Sequence, residues 1–192
     1  MFSGIIENTG RVIKLAKSKG GWSLAIKSAN NINKIKVGDS VNVDGVCLTT
    51  SKILRNELEF QVMPRTIGIT IIKNYQPQQL VNIETALVYN EKINGHLVTG
   101  HIDGIATVRA INKKNKDYNL IVDLPRELSN YMIKKGSVAI NGVSLTVAEK
   151  IGDTITTSLT PYTLTHTNLG KLKPADPVNI EVDLIIKYLK KV

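Results

Sequence analysis

The chain predicts an all-β fold in two tandem homologous halves, finished by a short C-terminal α-helix. Three observations carry that prediction. The first is an internal repeat. MFSGIIENTGRV from Met1 returns as LVTGHIDGIATV from Leu97, and VGDSVNVDGVCLTT from Val37 returns as KGSVAINGVSLTV from Lys135. MPRTIGIT from Met63 returns as TPYTLTHT from Thr160, and VNIE at Val81–Glu84 recurs at Val178–Glu181. The segments start 96 to 98 residues apart, well beyond the roughly 20–50 residues of a solenoid unit, so the repeat marks a duplicated small domain. The second observation is period-two alternation rich in β-branched residues, the pattern of half-buried strands. The third is a matched pair of tight-turn signals, Asp44-Gly45 and Asn141-Gly142, whose residue types tolerate positive φ.

Each element follows from that pattern in order. In the first half, 10–17, 22–27, 40–44, 46–54, 57–63 and 80–86 read as strands. In the second, 106–111, 118–124, 137–141, 143–151, 154–159 and 178–183 match them. Many short strands at this spacing suggest a closed or sandwiched antiparallel sheet. Short helices are expected after Pro64 and Pro161, since proline suits a first helical turn, and over Arg126–Ile133, where Leu128, Tyr131 and Met132 recur at helical spacing. Leu87–Gly95 breaks the alternation and reads as the connector, giving an expected division at 1–96 and 97–192. Over Leu184–Val192 the period changes to helical, with Ile185, Leu189 and Val192 on one face and lysines elsewhere. So short a helix needs a surface to lie on, its own barrel or copies of itself.

Composition narrows the function classes. A single cysteine excludes an internal disulfide framework and disfavours a thiolate zinc site, and the three histidines lack metal-ligand spacing. The net charge of +9 invites a nucleic-acid reading, but the lysines are dispersed and aromatics make up only 5%. Neither a basic cluster nor a stacking platform is present, so a solvated basic surface is the preferred reading. No apolar run reaches the ~20 residues of a membrane-spanning helix, and MFSGIIENTG has neither a basic n-region nor a cleavable h-region. The chain reads as soluble and cytoplasmic, with neither membrane nor nucleic acid as partner.

MFSGI, DGVCLT, NGHLVTGHIDG, NGVSLTV and the Pro161–Gly170 segment PYTLTHTNLG occur in register and span nearly the whole chain. Together they resemble riboflavin synthase of the α-chain type, with two lumazine-binding domains. The resemblance implies two six-stranded Greek-key β-barrels and a homotrimer held by the C-terminal helices. It implies a dismutation in which two molecules of 6,7-dimethyl-8-ribityllumazine give riboflavin and 5-amino-6-(D-ribitylamino)uracil by four-carbon transfer, without metal or redox cofactor. The active site would lie where the N-terminal barrel of one subunit faces the C-terminal barrel of the next, and lumazine synthase is a candidate partner. The duplication makes physical sense of such chemistry. Two identical molecules must meet, and proximity supplies much of the acceleration. Donor and acceptor play different roles, so the copies should differ where the chemistry happens.

The candidate site residues are those the resemblance picks out, and several differ between copies. Gly4 and Gly100 would let a flat heterocycle approach the backbone, or simply turn a barrel corner. His101, opposite Ile5 in the first copy, is the candidate base for deprotonating the substrate's 7-methyl group. Cys47 and Ser144 are a second unequal pair, able to add to C7 of the acceptor or direct water onto it; Cys47 could equally be a small buried hydrophobe. Thr49 and Thr146 stand two residues on, facing the same side. Lys135, paired in the sequence with Val37, would stabilise an anion. Asp183, opposite Ala86, would orient His101 or Ser144, or cap the final helix. His96 reads as structural or as a support behind the residues that touch substrate, and His166 as a surface residue. Flanking contacts are expected from Ile6, Leu48, Ile102 and Leu145. The pyrimidine edge would be read by Gln61, Val62, Met63, Pro64, Arg65 and Thr66, and by Leu159, Thr160, Pro161, Tyr162, Thr163 and Leu164. Arg65 reverses a charge that is commonly acidic in the family, which puts side-chain contacts of the first half-site in question.

Overall fold

The computed structural model describes residues 1–29, 32, 34–114 and 117–190. The first half contains β1 (Asn8–Ser18), β2 (Gly21–Ser28), β3 (Ser40–Val43), β4 (Val46–Leu54), β5 (Glu57–Val62) and β6 (Leu80–Thr85). They close into an antiparallel barrel in the order β1-β2-β5-β4-β3-β6. The second half contains β7 (Gly104–Lys114), β8 (Asp117–Asp123), β9 (Ser137–Ile140), β10 (Val143–Ile151), β11 (Thr154–Leu159) and β12 (Pro177–Val182). Read around its ring, it repeats the same order. The expected strands are thus present, three of them with both edges as expected and the others moved by at most three residues.

The alternation sets which side chains enter each barrel. Along β4, Val46, Leu48 and Thr50 are buried while Thr49 and Ser51 are exposed; β10 has the same burial pattern position by position. Both copies carry bulges at matching places, after Val12 and Val108 in β1 and β7, and after Thr50 and Val147 in β4 and β10. A bulge adds bend and twist, which lets six short strands close. Each barrel then holds its own apolar core, around Val12, Leu24, Phe60 and Ile83 in one and around Val108, Leu120, Ile155 and Ile180 in the other.

The helices are short. Pro64 and Pro161 each begin a helix, α1 (Pro64–Ile69) and α3 (Pro161–His166). The helix expected over Arg126–Ile133 is shorter: α2 (Arg126–Ser129) ends after one turn, and the chain continues as hydrogen-bonded turns from Tyr131 to Leu128 and Met132 to Ser129. Helical spacing of three apolar residues was satisfied by successive turns. The last helix is α4 (Leu184–Leu189), with Asp183 Oδ1 accepting the Ile185 N–H at 2.9 Å as its N-cap. Val192 lies outside the described residues. Ile186 packs on the second barrel and Lys187 pairs with Asp103 at 2.6 Å, so Ile185, Tyr188 and Leu189 are left 59–68% exposed.

The barrels meet about a pseudo-twofold axis. Asp44-Gly45 and Asn141-Gly142 all have positive φ, between 46° and 85°. These two turns sit back to back: a Cβ on Gly142 would lie 2.7 Å from the Gly45 nitrogen, so only glycine fits. Around them Asn82 Nδ2 donates to the Asn141 carbonyl and Asn179 Nδ2 to the Asp44 carbonyl, each at 2.8–2.9 Å. Asn168 and Ile71 backbone N–H groups donate to the Asn82 and Asn179 side-chain oxygens. The symmetry breaks at Asp44, whose counterpart is Asn141, and at Asn168, whose counterpart is Ile71. Asp44, fully buried, accepts from Asn82 N–H, Asn168 Nδ2 and Tyr75 Oη at 2.7–2.9 Å. Burial pushes its carboxyl up to about 7, against the opposing pull of those hydrogen bonds.

Candidate active site: two half-sites that exchange arms

The segments before β1 and β7 are not part of the barrels they precede. Phe2 and Val98 bridge one another across the axis through two backbone hydrogen bonds of 2.8 and 3.1 Å, and with Ala139 they form a small buried cluster. From there each arm crosses to the other barrel. The Gly4 carbonyl accepts the Ser144 N–H at 2.8 Å, and the Gly100 carbonyl accepts the Cys47 N–H at 2.8 Å. Ile6 packs in the second barrel's core and Ile102 against the first. Each half-site is therefore composite. One holds Cys47 and Thr49 from the first barrel with Gly100 and His101 from the second repeat. The other holds Ser144 and Thr146 from the second barrel with Gly4 and Ile5 from the first.

The glycines are fixed by contact. Gly4 (φ +75°) and Gly100 (φ +81°) would each drive a Cβ to 2.5–2.6 Å from the Cβ of Ser144 or Cys47. Close approach is thus to the neighbouring strand, and the arm lies flat on β10 or β4. This accounts for both glycines by packing. Cys47 and Ser144 are half-buried, Thr49 and Thr146 exposed, so the outward face of each strand is open beyond the arm.

The two half-sites are chemically unequal. His101, exposed, follows Gly100 on the arm that lies against Cys47, its backbone N–H bonded to Thr99 Oγ1 at 3.2 Å. Its counterpart Ile5 is 41% exposed. On the other side Ser144 Oγ lies 2.7 Å from His96 Nδ1. Burial holds the His96 imidazole below its usual value, partly countered by the Asp183 carboxylate nearby. In the tautomer whose Nδ1 accepts from the serine hydroxyl, the imidazole raises that oxygen's nucleophilicity. Among the described residues, no side chain bonds the Cys47 sulfur. The sequence leaves His96 as structural or as a support behind the site, since its own motif shows no asymmetry; the crossing of the connector, with a Gly95 Cβ that would meet Ser144 Oγ at 2.9 Å, puts it in the supporting place.

Other expected residues separate by face. Leu48, Val62, Leu145, Leu159 and Ile6 are 0–8% exposed core residues, so their side chains are occupied by packing and only their backbone is available. Gln61, Met63, Pro64, Arg65, Thr160, Pro161 and Tyr162 are exposed, with Thr66, Thr163 and Leu164 half-buried. These line the strand-to-helix corners at α1 and α3, where Thr160 Oγ1 caps the Thr163 N–H at 3.1 Å. Lys135 is exposed at the entry to β9, and its pairing with Val37 needs correction. The Lys135 N–H bonds the Val147 carbonyl as the Gly38 N–H bonds the Thr50 carbonyl, and both residues have positive φ, 70° and 96°. Gly38 is the true counterpart; the sequence motif was slipped by one. Gly38 and Ala86, which stand where the second copy has Lys135 and Asp183, border one cavity of about 520 Å³ in the first barrel.

Sequence reasoning also missed the residues that hold the arms. Glu84 and Glu181, each 1% exposed, close the repeated VNIE segments. Glu84 Oε1 accepts from the Ser3 N–H and hydroxyl at 2.7 and 2.9 Å, and Glu181 Oε1 from those of Thr99 at 2.7 and 2.6 Å. Burial pushes the Glu84 carboxyl up to about 7, with Ser3 and Gly4 pulling it down. The repetition of an acid inside an apolar strand was the available signal.

Comparison with known proteins matches both halves of the chain to one domain family. The lumazine binding domain model matches twice, at residues 3–86 and 99–183. The chain is 40% identical over 188 residues to riboflavin synthase of Chlamydia pneumoniae, covering 97% of this chain and 92% of that protein. It is 35% identical over 189 residues to riboflavin synthase of Bacillus subtilis, covering 98% and 88%. The chain belongs to the riboflavin synthase family. Within that family's fold, it matches LumP complexed with 6,7-dimethyl-8-(1'-D-ribityl) lumazine at a TM-score of 0.86, with 25% identity over 95% of this chain and 99% of that one. LumP complexed with riboflavin matches at 0.88. Among the described residues no helix is long and apolar enough to cross a membrane.

Proposed function

We propose that the chain is a cytoplasmic riboflavin synthase, a transferase that dismutates two molecules of 6,7-dimethyl-8-ribityllumazine into riboflavin and 5-amino-6-(D-ribitylamino)uracil. The observation that carries this reading is the pair of homologous, composite half-sites with unequal chemistry. Matching backbones offer two like pockets for two like molecules. The His101/Ile5 and Ser144/Cys47 differences let one molecule lose a methyl proton while the other is attacked at C7. His101 is the candidate base on the Cys47 side, and Ser144 with His96 behind it the candidate nucleophile or water-directing group on the other. Lys135 and Asp183 add charge at the second half-site's edge, and Thr49 and Thr146 supply hydroxyls to the ring or ribityl chain. The corner segments 61–66 and 159–164 would read the pyrimidine edges through backbone groups.

In this proposal three chains assemble through α4, so that the first barrel of one protomer faces the second of the next, and lumazine synthase supplies the substrate. A ligand carrier is the second reading, favoured by the likeness to LumP; the polar side chains at both half-sites count against it. Purified protein incubated with the lumazine separates them. Growth of riboflavin absorbance supports the enzyme, binding without product the carrier.

A further inference from the structure

We infer that Glu84 and Glu181 are crossed positioning residues: each carboxylate, fixed in one barrel, sets the arm that completes the half-site of the other. The inference rests on reading the two half-sites as the substrate sites. Glu84 stands in β6, in register with Asn42, which pairs with Cys47. It is thus in the same barrel as Cys47, two strands away. Its hydrogen bonds nevertheless go to Ser3 and Gly4, and the Gly4 carbonyl holds the Ser144 N–H of the second barrel. Glu181 mirrors this. It is in register with Ala139 and so with Ser144, yet it grips Thr99 and Gly100, and the Gly100 carbonyl holds the Cys47 N–H.

The chemistry of the grip suits a carboxyl group. Two successive N–H groups and a hydroxyl converge on each glutamate, whose two oxygens accept both N–H groups while the hydroxyl donates to the ionised form. No cation offsets either charge among the described hydrogen bonds and ion pairs. Such a buried acid is costly, and it is kept twice. A brace serving its own barrel could be apolar. A carboxylate aimed at the arm fixes the height of Gly4 or Gly100 over the opposite strand, and with it the place of Ile5 or His101.

The test uses Cys47, the sole cysteine, as a reporter of the arm over the first half-site. In Glu181→Gln the amide N–H faces the Gly100 N–H, donor against donor, and the arm loosens. Iodoacetamide alkylation of Cys47 in the ligand-free full chain should then accelerate about tenfold. In Glu84→Gln, although that residue shares Cys47's own barrel, the rate should stay within about twofold. Equal acceleration in both, acceleration only in Glu84→Gln, or none in Glu181→Gln overturns the crossing. Should a glutamine variant fail to fold, Thr99→Val and Ser3→Ala remove only the hydroxyl half of each grip, and the same ordering is expected between them. Alkylation needs no turnover, so the two readings fail separately. Absence of riboflavin formation would sink the proposed function and leave the crossing standing; a wrong alkylation pattern would sink the crossing in an active enzyme.

Discussion

At the residue scale, the positions that matter are those where a side chain, or its absence, is forced by a neighbour. Gly100 is the clearest. Its left-handed φ of +81° and the 2.5 Å approach to Cys47 Cβ penalise any larger residue twice. Gly100→Ala should cost about 2–4 kcal/mol, strain plus overpacking. Gly38→Ala, at φ +96° with nothing within 4 Å, should cost only the strain, about 1–2 kcal/mol. Urea denaturation of both variants measures the difference. His101 is exposed, and among the described hydrogen bonds only its backbone N–H is engaged, so His101→Ala should fold normally and lower kcat by about 10²-fold; unchanged turnover would remove it as the base. The unequal pairs at 5/101 and 47/144 were legible in the sequence because duplication supplies its own control. Glu84, Glu181 and His96 were not, because their partners are about 48–82 residues away in the chain and no local pattern announces a crossing arm. The slip that set Lys135 against Val37 comes from matching Gly38 to Gly136, although the first copy carries Asp39 between its glycine and serine; the shared positive φ at Gly38 and Lys135 settles the register.

At the element scale, strands were read nearly to their ends and helices less well. Alternation survives as burial, since β4 and β10 share one burial pattern. Short helices have no comparable redundancy: α2 shrank to four residues because one turn followed by others satisfies the same spacing. The arms Phe2–Ile6 and Val98–Ile102 were expected only as motifs, and it is tertiary pairing that makes them elements. α4 carries its own prediction. Its inner side is held by Ile186 and the Lys187–Asp103 pair, while Ile185, Tyr188 and Leu189 face outward. Three large apolar residues on one exposed turn and a half call for a partner surface. Deleting residues 184–192 should convert the proposed trimer to monomers, measured by sedimentation or light scattering. Truncated protein that stays trimeric would move the interface elsewhere.

At the scale of the whole molecule, two barrels are joined by a polar seam built almost symmetrically from asparagines. Its one ionisable acid, Asp44, stands where the other copy has Asn141. Its carboxyl is raised from 3.8 to about 7, first by burial. The native state therefore holds the proton more tightly than the unfolded chain does, and this group's contribution to stability falls as pH rises from about 4 to about 7. Glu84, raised from 4.5 to about 7 by burial, acts in the same direction. Asp44→Asn can rebuild the seam with a Tyr75 contact and removes one of these two slopes. The variant's Tm should thus gain on the wild type between pH 5 and pH 8, and a constant difference would mean that Asp44 is ionised throughout. A seam of this kind fixes the two barrels so that both arms reach their opposite strands, and the unlike residues at 5/101 and 47/144 then make the two candidate half-sites chemically unequal. The most direct measurement of that account is product stoichiometry with 6,7-dimethyl-8-ribityllumazine as sole substrate. Two lumazines consumed for each riboflavin formed, with one equivalent of 5-amino-6-(D-ribitylamino)uracil, is the predicted result. Tight binding with the lumazine recovered unchanged would contradict it.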